Sequence, residues 1–140
     1  MQTQRKWDIL LILLLAAALA AWFYFGTHAF GPKLALKDAP VTSIELSWLK
    51  TNRTITASNQ CAQVIQTMRQ ARTAGPPITS PSVGSLTLYF ADGTTNRFEL
   101  MPGRRWNAFE LVDQSGAYSI SSGKLTGTLE SVGLLHPDER

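Results

Sequence analysis

The run from Ile9 to Phe25 holds seventeen residues and no charge, and no other stretch restricts the chain's fate so strongly. At ~1.5 Å per residue it makes a helix ~25 Å long, within working range of a ~30 Å hydrocarbon core. The apolar region of a cleavable signal is commonly ~7–15 residues, so this one is long for that purpose. Trp22, Phe23 and Tyr24 cluster at its far end and Trp7 marks the near end, as aromatic side chains do at membrane–water interfaces. The competing reading is a signal peptide, because Ala18-Leu19-Ala20 satisfies the small-x-small rule for cleavage after Ala20. Cleavage there would leave a mature chain starting Ala-Trp-Phe-Tyr-Phe, an aromatic run with no place in a soluble domain, so the anchor is favoured.

Arg5 and Lys6 lie in the short N-terminal tail, whereas Lys33 and Lys37 stand farther from the other end. The positive-inside rule therefore predicts a cytoplasmic N-terminus in the inner membrane and an exported C-terminal domain, periplasmic in a Gram-negative cell. The expected organisation is a cytoplasmic tail 1–8, a transmembrane helix 9–25, a Gly/Pro/Lys stalk 26–40, an exported domain 41–135 and a frayed polar tail 136–140.

From Pro32 onward 109 residues remain, enough for one modest core. Of the chain's 13 Lys+Arg and 10 Asp+Glu, the part from Pro32 onward holds 11 and 9, too balanced for the dense basic face of a nucleic-acid binder. Cys61 is the only cysteine, so no intramolecular disulfide forms; on the apolar face of a helix it reads as a small core residue.

The exported part switches period as it goes. VTSIELSW alternates, with Ile44, Leu46 and Trp48 on one face, and RTITA offers a second, shorter strand. A two-residue Thr51-Asn52 loop is expected to join them and keep Trp48 and Ile55 on one face. SNQCAQVIQTMRQARTAGPP then repeats Cys61, Val64, Ile65, Met68 and Ala71 at helical spacing, capped by Ser58 or Asn59 and ended by Gly75-Pro76-Pro77. In SLTLYFADGTTNRFEL, a two-residue Asp92-Gly93 turn would mix the faces; a three-residue loop, Ala91-Asp92-Gly93 with Gly93 left-handed, keeps Leu88 and Phe98 together. AFELVD and AYSIS flank Gln114-Ser115-Gly116 as a further hairpin whose inner face holds Phe109, Leu111, Tyr118 and Ile120. Leu125, Leu129, Val132 and Leu134 predict a short final helix, weakened by Gly127 and Gly133. The predicted order is β-β-α-β-β-β-β-α, an α+β domain with an antiparallel sheet packed on one amphipathic helix.

Three groups of residues are candidates for chemistry. Arg104, Arg105 and Trp106 set two guanidinium groups beside an indole, a combination that binds carboxylates, phosphates or lipid headgroups. Arg69 and Arg72 would extend that patch, and Tyr89 and Arg97 on an outward sheet face complete the candidate contact set. The plainer reading, which outranks it, is a solvated loop with Trp106 packed beneath the arginine stems. Glu99 and Glu110 are outward strand positions that could be neighbours, read as solvated surface rather than a catalytic pair. His28 and His136 lack partners at ligand spacing, and no phosphate loop or nucleophile motif occurs, so no metal, no cofactor and no enzymatic activity is expected.

The resulting expectation is a single-pass membrane protein held in the lipid bilayer by residues 9–25, whose domain binds an envelope protein or serves as an accessory subunit. The alternative is a module that senses an anionic small molecule, cell-wall fragment or lipid headgroup through the arginines. Intact-mass measurement on protein extracted from membranes is expected to return chains that retain residues 1–20; a species beginning at Ala21 would overturn the anchor.

Overall fold

The computed structural model describes residues 2–27, 31–76 and 80–139, in two compact units, Met1–Phe30 and Gly31–Arg140. The first is a continuous helix, α1 (Gln2–Thr27). Its segment Gln2–Phe23 is long and apolar enough to cross a membrane, and none of it is buried within the protein.

The second unit is α+β. It contains β1 (Val41–Trp48), β2 (Thr51–Ile55), α2 (Ser58–Met68), β3 (Arg72–Gly75), β4 (Gly84–Phe90), β5 (Thr95–Pro102), β6 (Ala108–Asp113), β7 (Gly116–Ser121), α3 (Ser122–Ser131) and a 3-10 turn, Pro137–Glu139. The strands form one seven-stranded antiparallel sheet in the order β2-β1-β4-β5-β6-β7-β3. Alternation decides which face is apolar: Leu46, Leu86 and Phe98 stand side by side across β1, β4 and β5, all withdrawn from water. Cys61, Val64 and Met68 of α2 and Leu125 and Leu129 of α3 complete that core. Burial removes Cys61 from solvent and raises its thiol pKa, as suits a packing residue.

The β4–β5 hairpin has the expected three-residue loop: Leu86 pairs with Phe98, Tyr89 with Thr95, and Gly93 sits at φ +84°. The β1–β2 loop differs. Trp48 pairs with Thr51, so the two-residue loop is Leu49-Lys50, not Thr51-Asn52; Trp48 and Ile55 still share the inner face because the shift is by two residues. The β6–β7 loop is likewise Gln114-Ser115, with Gly116 paired to Asp113.

Helix α2 ends at Met68, and Ala57 occupies its N-cap without a side-chain hydrogen bond, replacing the expected Ser58 or Asn59 cap. The chain then makes an unpredicted strand, β3, because Arg72 and Thr73 find partners in Ser119 and Tyr118 of β7. Ala71 is buried, as its place in the apolar repeat implied, but beyond the helix. At the other end of the fold, Gly133 ends α3 rather than weakening it. At φ +79°, its N–H donates to the Glu130 carbonyl while the Leu134 N–H donates to that of Leu129, the paired bonds of a Schellman cap.

The segment read as stalk is folded from Gly31 onward. The Leu34 N–H donates to the Ala71 carbonyl (2.8 Å) and the Thr73 N–H to that of Pro32 (3.1 Å), which covers the outer edge of β3, and Leu34 enters the core. Lys37 pairs with Asp92 at the β4–β5 loop; that bond and those from Thr94 hold the Asp92 carboxyl well below the usual carboxylate range. The tail, expected to fray, is docked as far as Glu139. Arg53 holds its carboxylate through both terminal nitrogens, and the Trp48 Nε1–H donates to its carbonyl at 2.7 Å. The Arg53 bond, aided by the His136 N–H, lowers the Glu139 pKa.

Between β3, at one edge, and β4 stand β5, β6 and β7, so the connector must cover ~19 Å sideways at ~4.8 Å per strand. It starts at Pro76, which accepts from Arg104, and ends past Ser82, whose Oγ donates to Glu99 Oε2 at 2.8 Å. Both ends therefore lie on the sheet face opposite α2 and α3. Gly84, where β4 begins, approaches β1 so closely that a Cβ would stand 2.3 Å from the Ser47 carbonyl oxygen. Gly84→Ala is expected to lower stability by about 3 kcal/mol in urea unfolding, because the clash is with backbone that no rotamer relieves.

Candidate interaction surface

The loop between β5 and β6 is pinned from both sides. The Gly103 N–H donates to the Ala108 carbonyl (2.9 Å), and a Cβ at Gly103 would lie 2.6 Å from that same oxygen, so only glycine fits. The Asn107 carbonyl accepts from the Ser122 N–H (2.9 Å) and Oγ (3.0 Å), tying the loop to the start of α3. Trp106 projects from this fixed turn with 97% of its surface exposed, not packed under arginine stems.

Arg104 turns the other way. Its Nε donates to Glu110 Oε1 at 3.1 Å, its terminal nitrogen reaches the Pro76 carbonyl, and its guanidinium abuts Gly75. Glu110 is 1% exposed, which corrects the reading of this residue as solvated surface. It is buried although it faces away from the helices, and Arg104 links its carboxylate to the Pro76 carbonyl. Its Oε2 has no partner among the described residues.

The other candidates are dispersed. Arg69 is the C-cap of α2, on the helix side. Arg72 begins β3, opposite Ser119, and reaches the Gly31 carbonyl at 3.5 Å. Arg97 donates to Glu99 Oε1 at 3.0 Å. Tyr89 stands opposite Thr95, at the end of β5 remote from Pro102; seven residues at ~3.4 Å put the Trp106 loop ~24 Å away. The sheet-face group and the Arg104–Arg105–Trp106 loop therefore form no single patch. Glu99 and Glu110 face the same side, on diagonal register positions, but each is engaged by a different arginine. Among the described residues, no three His, Cys, Asp or Glu side chains converge as a metal site would require.

A feature that sequence reasoning missed lies at the same end of the sheet as Trp106. Leu49, at the tip of the β1–β2 hairpin, is 73% exposed and holds φ +54°. Its N–H donates to Val83, whose own N–H donates to Leu100, so the hairpin tip is level with the end of β5. Trp48, Leu49, Lys50, Thr51 and Glu139 border an open groove of about 570 Å³. The signal was hidden because leucine is a poor candidate for a left-handed turn position.

No protein-family model matches this chain, and comparison with curated proteins and with solved structures finds no match. Arg104→Ala is expected to cost about 2 kcal/mol in chemical unfolding, because it strands a buried carboxylate; the value lies below that for a wholly buried pair since the arginine is 36% exposed. Replacing both partners, Arg104→Met with Glu110→Leu, is expected to recover most of the loss.

Proposed function

We propose that this chain is a single-pass membrane protein whose exported α+β domain is a non-catalytic accessory subunit that binds another envelope protein. The full exposure of Trp106 carries the reading. An indole removed from water on binding contributes large apolar area and one directed N–H, which is why tryptophan anchors so many protein interfaces. Trp106 is displayed by a loop fixed at both ends, so little conformational entropy is lost when a partner covers it. Among the described residues of the domain, the other exposed large apolar side chain is Leu49, at the same end of the sheet. Two such groups at one end make a contact surface rather than scattered solvent exposure.

The membrane assignment is supported by α1, with its long apolar segment, Trp7 at one end, Trp22 and Phe23 at the other, and Arg5 and Lys6 on the N-terminal side. The inner membrane is its proposed location, with the N-terminus in the cytoplasm and the domain in the periplasm of a Gram-negative cell. The anion-sensing alternative needs free guanidinium groups, and Arg104 is committed to Glu110 and Pro76.

Purification of the full chain from gently solubilised membranes is expected to recover a stoichiometric envelope protein. Trp106→Ala should lose that protein by tenfold or more while its melting temperature stays within a few degrees of the parent. Recovery of the chain alone across detergents and concentrations would overturn the reading.

A further inference from the structure

The chain from Leu134 to Glu139 changes character partway along. Leu134 and Leu135 are buried, and the N–H groups of both donate to the Leu129 carbonyl. From His136 on the chain lies at the surface, and the 3-10 turn Pro137–Glu139 buries no residue. What holds that turn down passes through its last member. The two oxygens of the Glu139 carboxylate accept from the terminal nitrogens of Arg53 on β2, and Oε2 also accepts the His136 N–H at 2.9 Å. The Glu139 carbonyl accepts the Trp48 indole N–H at 2.7 Å. Among the described residues, Pro137 and Asp138 make no hydrogen bond or ion pair to the sheet.

We infer that residues 136–139 are a strap that docks while the Glu139 carboxylate is ionised, so that acid releases it, frees the Trp48 indole N–H and opens the groove beside Leu49. Glu139 borders that groove with Trp48, Leu49, Lys50 and Thr51, so its departure removes one wall. The movement lies within the domain and goes beyond the partner-binding role proposed above, and neither depends on the other.

Charge sets the direction. The charged and titratable groups around the carboxylate are Arg53 on β2, Lys50 at the hairpin tip, and His136 and Asp138 on its own turn. The Arg53 bond, then the His136 N–H, lower the Glu139 pKa, and the charges of Arg53 and His136 act the same way. Docking is therefore complete at neutral pH and is lost as pH falls through a value below the usual glutamate range. A protonated carboxyl keeps an acceptor oxygen but loses the charge that makes a fork to arginine strong.

Release is local because no buried apolar side chain leaves with the strap. Trp48 keeps its edge-on contact with Phe109, and Leu134 and Leu135 remain in the core. Water can satisfy the freed N–H groups and the Arg53 guanidinium, whose side chain is already 33% exposed.

The test puts a bimane fluorophore on Pro137→Cys in the full chain in nanodiscs, where the buried Cys61 stays unlabelled. Trp48 quenches a bimane held against it. Lowering the pH should raise emission at least twofold with unchanged far-UV circular dichroism, at a midpoint below the usual glutamate range. Glu139→Gln, which mimics the uncharged carboxyl, should be as bright at neutral pH as the parent is in acid, and so should Arg53→Met, both with native circular dichroism. Trp48→Phe should be bright at every pH. His136→Gln, which removes a positive charge, should move the midpoint upward and keep the transition. Emission that stays quenched until secondary structure is lost overturns the inference. So does a Glu139→Gln chain quenched like the parent at neutral pH, quenching that survives Trp48→Phe, or a transition that His136→Gln abolishes.

Discussion

Leu46, Leu86 and Phe98 touch across three neighbouring strands with no polar atom among them and essentially no exposure. That row fixes the register of β1, β4 and β5, since a slip of one residue would turn an entire apolar set into water. Once the row is set, α2 and α3 have one sheet face to cover, and Cys61, Val64, Met68, Leu125 and Leu129 close over it. Trp48 extends the same layer to its rim, edge-on to Phe109 at 5.9 Å, with its N–H satisfied by the Glu139 carbonyl. Arg53, on the inner face of an edge strand, is tolerated because the Glu139 carboxylate neutralises it there.

One-sided burial leaves the other face of the sheet to polar side chains, and there the chain's path matters more than its hydropathy. α2 takes the chain from the β2 edge toward β3 on the apolar side, whereas Pro76 and Ser82, on either side of the step from β3 to β4, are both bonded on the polar face. There Glu110 is buried, and Arg104 bonds both its carboxylate and the Pro76 carbonyl. A residue type suited to anion binding thus becomes an internal tie, while the neighbouring Trp106 is left outside.

Surface features follow from the same constraints. The β5–β6 loop is held by Gly103 and by the start of α3, so Trp106 cannot fold inward. The β1–β2 loop is only two residues long, so Leu49 occupies its tip whatever its preference. The Leu34 segment covers one edge of the sheet, and at the other the short β2 pairs only with β1 among the described residues.

Much of this was legible in the order of residues. The apolar helix needs no tertiary partner to declare itself, because seventeen uncharged residues are costly to expose as coil in any setting. Period-two alternation revealed the inner face of six strands, and parity alone decided the Ala91-Asp92-Gly93 loop, since only an odd loop keeps Leu88 and Phe98 on one side. The amphipathic face of α2 was equally plain. Strand β3 was not, for Arg-Thr-Ala-Gly has no period of its own and becomes a strand only through β7, some forty-five residues away. The partner of Arg104, the docking of Glu139 on Arg53 and the exposure of Trp106 and Leu49 likewise depend on segments brought together by topology. Local pattern records what a side chain prefers within a few residues, and so determined the helices, the alternation and the core. Which charges meet, which edge stays open and which aromatic is left in water depend on contacts across dozens of residues, and those the tertiary structure alone decided.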